Sequence, residues 1–231
     1  MVEEGAAIID VGGESTRPGS EGVSLDEELR RVEPVLEALL DVPRSIDTSK
    51  SEVARRALEA GAVMVNDGTA LRGDPDLAGV VADAGAYLCL MHMLGEPRTM
   101  QEDPRYDDVV SEVISFLEER LAFATEAGIA EDRICLDPGI GFGKTVEHNL
   151  QLLGRLDEIV ALGRPVLVGA SRKRFLGRVL GDPDAVTGPV AAGIAVAVLA
   201  YERGASIVRA HDVREHVAGL KAAQAVVESP A

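Results

Sequence analysis

The sequence predicts an α/β fold: a (β/α)8 barrel of the TIM type, truncated at its N-terminus so that about seven βα units are present. Seven short hydrophobic runs alternate with segments that have the periodicity of amphipathic helices, and each run ends in a polar residue. Short buried strands that alternate with helices form parallel sheets, and a barrel brings the carboxyl ends of its strands together at one mouth. We therefore expect one domain, residues 1–231, with a single site built from seven loops.

The seven predicted strands are apolar runs that lead into residues suited to chemistry. In chain order the runs are AIIDVGGESTRPG from Ala7, SIDTSK from Ser45, MVNDG from Met64, LCLMH from Leu88, ICLDPGIGFGK from Ile134, VLVGASRK from Val166 and SIVRAHD from Ser206. The polar residues at or just past their ends are Asp10, Asp47, Asn66, His92, Asp137, Lys173, Arg209 and His211. A ligand site at the carboxyl edge of the sheet would draw on these side chains.

Amphipathic segments between the runs predict the helices. The clearest covers residues 25–40, and Ser24 with Glu27 has the spacing of a capping box at its start. Ser49 with Glu52 gives the same signal for the next helix. The remaining predicted segments are helices near 75–84, 107–127, 148–162, 189–203 and 213–228, and a short helix with a loop in 172–188.

Glycines mark the ends of these helices. A glycine precedes most of the predicted strands, as expected where a left-handed residue stops a helix. These glycines are Gly5, Gly61, Gly85, Gly128, Gly163 and Gly204. Only Met1–Glu4 precede Gly5, so we expect the chain to begin in the last turn of a helix whose strand is missing. The alternative is a complete, open α/β sheet, which would leave strand edges unpaired.

Composition and charge argue against several classes of protein. The formal charge is −16, and aromatic residues make up 3% of the chain with no Trp, so we expect no nucleic-acid or membrane partner. No apolar stretch is long enough to span a membrane, and the acidic N-terminus does not resemble a signal peptide, which predicts a cytoplasmic protein. The two cysteines, Cys89 and Cys135, lie in predicted strands and are expected to be buried, reduced thiols.

At these motifs the sequence resembles the dihydropteroate synthases of folate biosynthesis. The similarity extends from IIDVGGESTRPG through IDT, ND, MH, DPGIGFGKT and SRK to VRAHDV, and this set in this order is highly specific. The resemblance implies a barrel, usually dimeric, that joins 4-aminobenzoate to a dihydropterin bearing a methyl diphosphate and releases pyrophosphate. It also implies Mg²⁺, although the family's first strand and loop, with the Asn that binds magnesium, are expected to be absent from this chain.

The resemblance assigns four residues to the pterin: Asp47, Asn66, Asp137 and Lys173. Asp137 follows a buried run, where a carboxylate is costly unless something satisfies it, and its two oxygens match the paired N–H donors of a pterin. The alternative is a carboxylate that only holds the next loop. Asp47 would stabilise positive charge as the bond to diphosphate breaks, or Asp47 or Thr48 would merely cap the next helix. Asp67, beside Asn66, is expected to be structural.

The remaining binding residues are also assigned by the resemblance. Aminobenzoate is assigned to Thr16, Arg17, Phe142 and Ser171, and the diphosphate to Thr16, Arg209 and His211. Arg209 and His211 alternate along the last run, so we expect their side chains to face the same way and to clamp the diphosphate. Packing in the core is the alternative for Phe142. The glycine-rich segment Gly12–Gly19 is expected to be a mobile cover over the substrates.

Asp47, Lys173 and Arg209 are the predicted catalytic residues. No covalent nucleophile is required, because the amine of aminobenzoate attacks directly. No spacing of His, Cys or carboxylates supports a tight zinc site, so Mg²⁺ would be held mostly by the diphosphate. The final apolar-rich helix, Val213–Val227, is the expected surface of a homodimer.

Three other functions stay open at this point. One is a pterin-binding protein without synthase activity, because the first loop is missing. Another is a methyltetrahydrofolate-dependent methyltransferase, against which the STRPG and SRK motifs count. The last is an unrelated aldolase-type barrel, which needs a Schiff-base lysine inside a strand, whereas Lys173 lies just past its strand among arginines.

Overall fold

The computed structural model describes residues 1–17 and 19–229, and this part of the chain contains seven parallel strands. The strands are β1 (Ile9–Gly12), β2 (Arg44–Asp47), β3 (Met64–Asp67), β4 (Tyr87–Met91), β5 (Ile134–Asp137), β6 (Leu167–Val168) and β7 (Ile207–Val208). Each of them coincides with one of the seven predicted runs, although β2 and β4 begin one residue before their runs. Pro18, in the predicted covering loop, lies outside the described residues.

The strands pair in chain order. β1 to β5 form one parallel sheet, β6 pairs with β7, and a bridge between Leu136 and Val166 links the two sets. A parallel neighbour requires a crossover, and the intervening helices return the chain to the same edge each time. At the carboxyl edge Gly12 is opposite Asp47, and Asp47 is opposite Asn66. The predicted convergence of strand ends is therefore present.

Nine helices connect the strands within the described residues. They are α1 (Leu25–Ala38), α2 (Ser51–Glu59), α3 (Leu77–Ala84), α4 (Val109–Glu126), α5 (Val146–Gly154), α6 (Leu156–Val160), α7 (Arg174–Val179), α8 (Val190–Glu202) and α9 (Val213–Val227), with single 3-10 turns at Val2–Glu4 and Glu131–Arg133. The short helix expected in 172–188 is α7. In the described part of the chain, no helix is both long and apolar enough to cross a membrane.

The prediction of one continuous helix over 148–162 is wrong. Arg155 has φ −114° and ψ 31°, which ends α5 and precedes α6. Gly154 weakens the helix at this point. The Arg155 guanidinium bonds with Asp108 at 3.1 Å and with Glu158 at 2.7 Å, so side-chain bonds fix the break.

The predicted helix caps form only in part. Ser24 Oγ accepts the Glu27 amide at 3.3 Å, whereas the Glu27 carboxylate bonds with two arginines of the next turn, so half of that capping box is present. The box predicted from Ser49 is wrong. Asp74, from the loop before α3, instead accepts the amide of Ser51 at 2.8 Å at the start of α2. A long-range carboxylate thus takes the place of the local cap.

The core lies between the strands and the surrounding helices, and a second cluster involves strands alone. The fully buried strand residues of the main cluster include Ile46, Val65, Leu88 and Leu136. The second cluster contains Met64, Cys89, Cys135 and Leu167. Strands buried on both faces are typical of parallel sheets. Both cysteines are free and buried, as predicted.

The glycines at the helix ends have the predicted conformation. Gly5 has φ 102°, and its amide bonds with the Val2 carbonyl at 2.9 Å to close the first turn. The other glycines with positive φ before strands are Gly61, Gly85, Gly128, Gly163 and Gly204. A left-handed residue stops each helix and turns the chain back toward the sheet.

Candidate active site

Asp10, on β1, collects hydrogen bonds from three other strand ends. Its Oδ1 accepts the Ser45 hydroxyl at 2.6 Å, and its Oδ2 accepts the Asn66 side-chain amide at 3.1 Å and Arg209 Nε at 2.6 Å. Ser45 and Asn66 lie on β2 and β3, and Arg209 directly follows β7. One carboxylate thus joins the first three strands to the last. Asp10 was expected at the mouth but without a role, because its only local signal is a position at a strand end.

Asp47 and Asp10 share the guanidinium of Arg209. Arg209 Nη2 donates to Asp47 Oδ2 at 2.9 Å, while Nε binds Asp10. Burial and the charge of Asp10 raise the pKa of Asp47 to about 7, although Arg209 opposes the shift. The capping alternative is wrong, because Thr48 Oγ1 accepts the amide of Lys50, which lies before α2, at 3.2 Å, and Asp74 accepts the first amide of that helix. Asp47 therefore exchanges a proton near neutral pH, as groups at functional sites often do.

Asp137 ends β5 as a carboxylate that is only 7% exposed. Within the described residues its side chain has one hydrogen-bond donor, the Gly139 amide, 2.7 Å from Oδ1. Burial raises the pKa of Asp137, while the Gly139 bond and the charges of Lys173 and Lys144 act against that rise. A carboxylate has about four lone-pair positions, so this one keeps acceptor capacity for a ligand.

Lys173 precedes α7 and lies over an aromatic ring. Its Nζ is 3.9 Å from the centroid of the Phe142 ring. Burial lowers the pKa of Lys173 to about 8, although the charge of Asp137 opposes the shift. The same ring packs against the cluster of Met91, Met93 and Met100. Phe142 thus packs in the core on one side, as one of its two predicted environments requires, and contacts Lys173 on the other.

Lys144 is a buried lysine that the sequence did not single out. Its Nζ lies 2.9 Å from His92 Nδ1 and donates to the Phe142 carbonyl at 3.0 Å. Burial lowers the pKa of Lys144 to about 7, and burial together with the charge of Lys144 lowers that of His92 to about 2. His92 is therefore neutral at physiological pH. The pair ties the loop 138–144 to the end of β4.

The loops after β1, β6 and β7 bring positive charge to the mouth. Ser171 is buried, and its Oγ accepts the amide of His211 at 3.2 Å. Burial lowers the pKa of His211, and the charges of neighbouring arginines, Arg209 and Arg17 among them, lower it further. Thr16 is half-buried and Arg17 exposed. Three arginines therefore lie near His211 in a chain with a net charge of −16.

Arg209 and His211 bind different partners. β7 ends at Val208, so both residues follow the strand rather than alternate along it. Arg209 bonds with Asp10 and Asp47. The amide of His211 bonds instead with the hydroxyl of Ser171, in the loop after β6. A clamp formed by both side chains requires Arg209 to release at least one carboxylate.

Asp67 has the structural role expected of it. Its Oδ1 accepts the Thr69 amide at 2.8 Å, and its Oδ2 accepts the Leu71 amide at 2.6 Å. Burial raises the pKa of Asp67, and these bonds oppose the rise. The side chain thus holds the turn after β3 rather than facing a ligand.

The side chains at the mouth do not form a magnesium site of their own. In residues 1–17 and 19–229, no three or more His, Cys, Asp or Glu side chains are grouped so as to hold a metal ion. Asp10 and Asp47, the carboxylates that share Arg209, already bind its cationic guanidinium. Mg²⁺ needs several oxygen ligands in near-ideal octahedral geometry, which this donor set does not supply.

The chain is similar to known proteins over nearly its whole length. Residues 1–211 match the family model described as pterin binding enzyme. The dihydropteroate synthase of Escherichia coli K12 is 46% identical over 234 residues, which cover 99% of this chain and 81% of that protein.

Solved structures share the fold. The dihydropteroate synthase of Yersinia pestis, in complex with a sulfonamide drug, has a TM-score of 0.93 at 42% identity, covering 99% of this chain and 83% of its own. That of Xanthomonas albilineans, with 4-aminobenzoic acid, has a TM-score of 0.91 at 47% identity, covering 99% and 82%. The predicted α/β barrel of the TIM type is thereby confirmed. The chain belongs to the dihydropteroate synthase family of pterin-binding enzymes.

Proposed function

We propose that this chain is a dihydropteroate synthase. It would transfer the (7,8-dihydropterin-6-yl)methyl group from its diphosphate to the amine of 4-aminobenzoate, giving dihydropteroate and pyrophosphate. The observation that carries the proposal is the buried Asp137 carboxylate with spare acceptor capacity, in the same mouth as the shared Arg209. The names and bound molecules of the similar proteins support the same reaction.

The pterin-binding residues follow from the donors and acceptors at the mouth. Asp137 would accept the pterin's 2-amino group and the adjacent ring N–H, which form a pair of parallel bonds. Asn66 donates its amide to Asp10, and this bond leaves its carbonyl oxygen to accept from the ring. Lys173 would donate to the pterin carbonyl. Its pKa of about 8 keeps the ammonium form dominant at neutral pH.

The transfer step needs charge stabilisation more than proton transfer. The aminobenzoate nitrogen bonds to the exocyclic methylene carbon as the bond from that carbon to the diphosphate oxygen breaks. The electron pair leaves with the diphosphate, and the new secondary amine loses a proton to solvent. Positive charge develops on the methylene and the ring, where the Asp47 carboxylate would stabilise the transition state more than the ground state.

Arg209 links substrate binding to this step. It bonds with both Asp10 and Asp47 in the structure. A bound diphosphate offers a more highly charged partner of matching geometry, and together with His211 it would draw the guanidinium away from Asp47. Asp47 would stay beside the developing cation, and any bond that it keeps with Arg209 would favour its ionised form.

Aminobenzoate would lie between the loop after β1 and the ring of Phe142. Thr16 and Arg17 supply a hydroxyl and a cation for its carboxylate or for the diphosphate. Ser171 is held by its bond with His211 at the other side. These assignments rest on the family motifs and on the positions of the residues around one mouth.

The proposal extends to the assembly and surroundings of the enzyme. We infer a single domain over 1–231 and a homodimer, supported by the exposed Val226 and Val227 of α9. Free, buried cysteines are compatible with the cytoplasm. Mg²⁺ would arrive with the diphosphate, because the donors in the described part of the chain do not fit the ion.

Pyrophosphate release tests the proposal. The purified chain should release pyrophosphate when 4-aminobenzoate, the dihydropterin diphosphate and Mg²⁺ are all present, and not when either organic substrate is left out. Tight binding of the pterin without release would indicate a pterin-binding protein. Methyl transfer from methyltetrahydrofolate to a cobalamin would indicate the related methyltransferases, and either result contradicts the proposal.

A further inference from the structure

Three charged residues from different elements form a partly buried cluster beside the mouth. Lys50, just before α2, binds the carboxylate of Glu14 in the loop after β1, and its Nζ lies 2.5 Å from Glu28 Oε2 on α1. Glu28 is 1% exposed, and its other oxygen accepts the hydroxyl of Thr48 at 2.6 Å. None of the family motifs assigns a role to this Glu14–Lys50–Glu28 cluster.

The base of the loop after β1 is packed tightly against α1. A Cβ atom at Gly13 would lie 2.9 Å from Glu28 Cγ and 2.9 Å from Val32 Cγ1, so the backbone approaches the helix as closely as a glycine permits. Arg31 Nη1 donates to the Gly13 carbonyl at 2.9 Å. The loop therefore leaves β1 in a fixed direction, and Glu14 is its last anchored side chain before Thr16.

The cluster also reaches the strand end that carries Asp47. Thr48 follows Asp47 directly and bonds with both Glu28 and the Lys50 amide. Burial lowers the pKa of Lys50, but its bonds with Glu14 and Glu28 outweigh burial and raise it above the usual value. One permanently charged ammonium thus holds two carboxylates from separate elements.

We propose that Lys50 is a positioning residue that fixes the loop carrying Thr16 and Arg17 relative to the strand end carrying Asp47. It touches no substrate. Removing its charge would release Glu14, and with it the part of the loop that borders aminobenzoate. The pterin subsite around Asp137 would stay intact. This inference rests on the proposed function, because it assigns the loop to aminobenzoate.

The test compares Lys50→Met with Lys50→Arg, which keeps the charge. Lys50→Met should raise the KM for aminobenzoate by about tenfold or more, the scale expected when a positioning group is lost, while the Kd for pterin stays unchanged. Lys50→Arg should restore most of the loss. Arg56→Met removes an exposed ion pair with Glu52 on the same α2 and should behave as wild type.

A double variant keeps the test informative if Lys50→Met fails to fold. Adding Glu28→Gln removes the buried charge that would otherwise lack a counter-ion, so this protein should fold while Glu14 remains released. Backbone amides of residues 13–17 should exchange hydrogen faster in it than in wild type. This readout needs no enzyme activity.

The two proposals fail in different ways. A wild-type chain that makes no dihydropteroate contradicts the proposed function, and amide exchange still tests the cluster. Unchanged exchange in residues 13–17, or an active Lys50→Met variant with wild-type KM, would overturn the positioning role. An equal loss of pterin binding would overturn it as well, since the effect would then be general.

Discussion

Arg209 is shared by two carboxylates at the mouth of the barrel. Asp10 and Asp47 each accept one bond from the guanidinium, at 2.6 and 2.9 Å. Burial and the nearby charge of Asp10 raise the pKa of Asp47 to about 7, although Arg209 opposes the shift.

The pKa values of Asp47 and Lys173 predict the pH profile of kcat/KM. Asp47 must be ionised, so activity should fall as pH drops below about 7. Lys173 must be protonated to donate to the pterin, so activity should fall again as pH rises above about 8. Initial rates of dihydropteroate formation from pH 5 to 10 should therefore give a narrow bell around neutral pH.

The variant Asp10→Asn shows whether the acidic limb of the pH profile comes from Asp47 or from titration of the substrates. The substitution removes one of the charges that raise the pKa of Asp47, so the acidic limb should move to lower pH. The substrates titrate identically with both proteins. An acidic limb at the wild-type position would show that Asp47 does not control it.

The positions of site residues could be predicted where they belong to a local sequence motif. Contacts between residues that are distant in the chain were missed. Asp137 and Asn66 lie at the carboxyl ends of strands and Lys173 lies in the loop after β6, each within a short motif. The role of Asp10 depends on partners 35, 56 and 199 positions away. Lys144 lies within a recognised motif, but its burial against His92 depends on the packing of two loops.

The loop after β5 is the element in which backbone conformation matters most. Gly139 has φ +67°, and a Cβ atom there would lie 1.8 Å from the carbonyl oxygen of His92. This close approach joins the end of β4 to the loop that holds Asp137 and Phe142. Only a glycine allows it.

Gly139→Ala should destabilise the fold by about 2–5 kcal/mol, which combines a left-handed residue with overpacking. Gly163→Ala is the matched control, because Gly163 has φ +75° but no atom within 4 Å of the added methyl group. That change should cost only about 1–2 kcal/mol. If urea denaturation gave the same loss of unfolding free energy for both variants, the close contact with His92 would not contribute to the cost of Gly139→Ala.

The predicted helix boundaries were wrong where the apolar periodicity continues across a break in the helix. Leu152, Leu156 and Ile159 are fully buried on both sides of Arg155, so the pattern hides the division between α5 and α6. The predicted cap of α2 was wrong for another reason. The acceptor at the start of this helix, Asp74, lies beyond β3 in the chain. Local spacing predicts helices well but contains no information on such contacts.

At the scale of the whole molecule, the order of the strands determines the site. Seven strands in chain order place their polar ends side by side, so a short list of motifs was enough to predict the barrel and its mouth. The net charge of −16 opposes anionic substrates over the surface in general. The arginines and lysines at the mouth oppose that field locally.

The apolar surface of α9 predicts a homodimer. Val226 is 75% exposed and Val227 58% exposed, and such surface favours association. Sedimentation velocity should find a dimer, which Val226→Glu shifts toward monomer. Val186→Glu, at a valine that is 82% exposed in the loop after α7, should leave the dimer intact. A wild-type monomer at all concentrations, or equal effects of both variants, would contradict this interface.

Dihydropteroate formation by this chain, followed by mass spectrometry, tests the central claim most directly. Wild type should form dihydropteroate, and Asp137→Asn should reduce kcat/KM by about a hundredfold or more, because it replaces a buried acceptor pair by a group that also donates. Asp182→Asn, at an exposed position, should match wild type. Product formation that is indifferent to Asp137, or no product from a folded wild-type chain, would contradict the account.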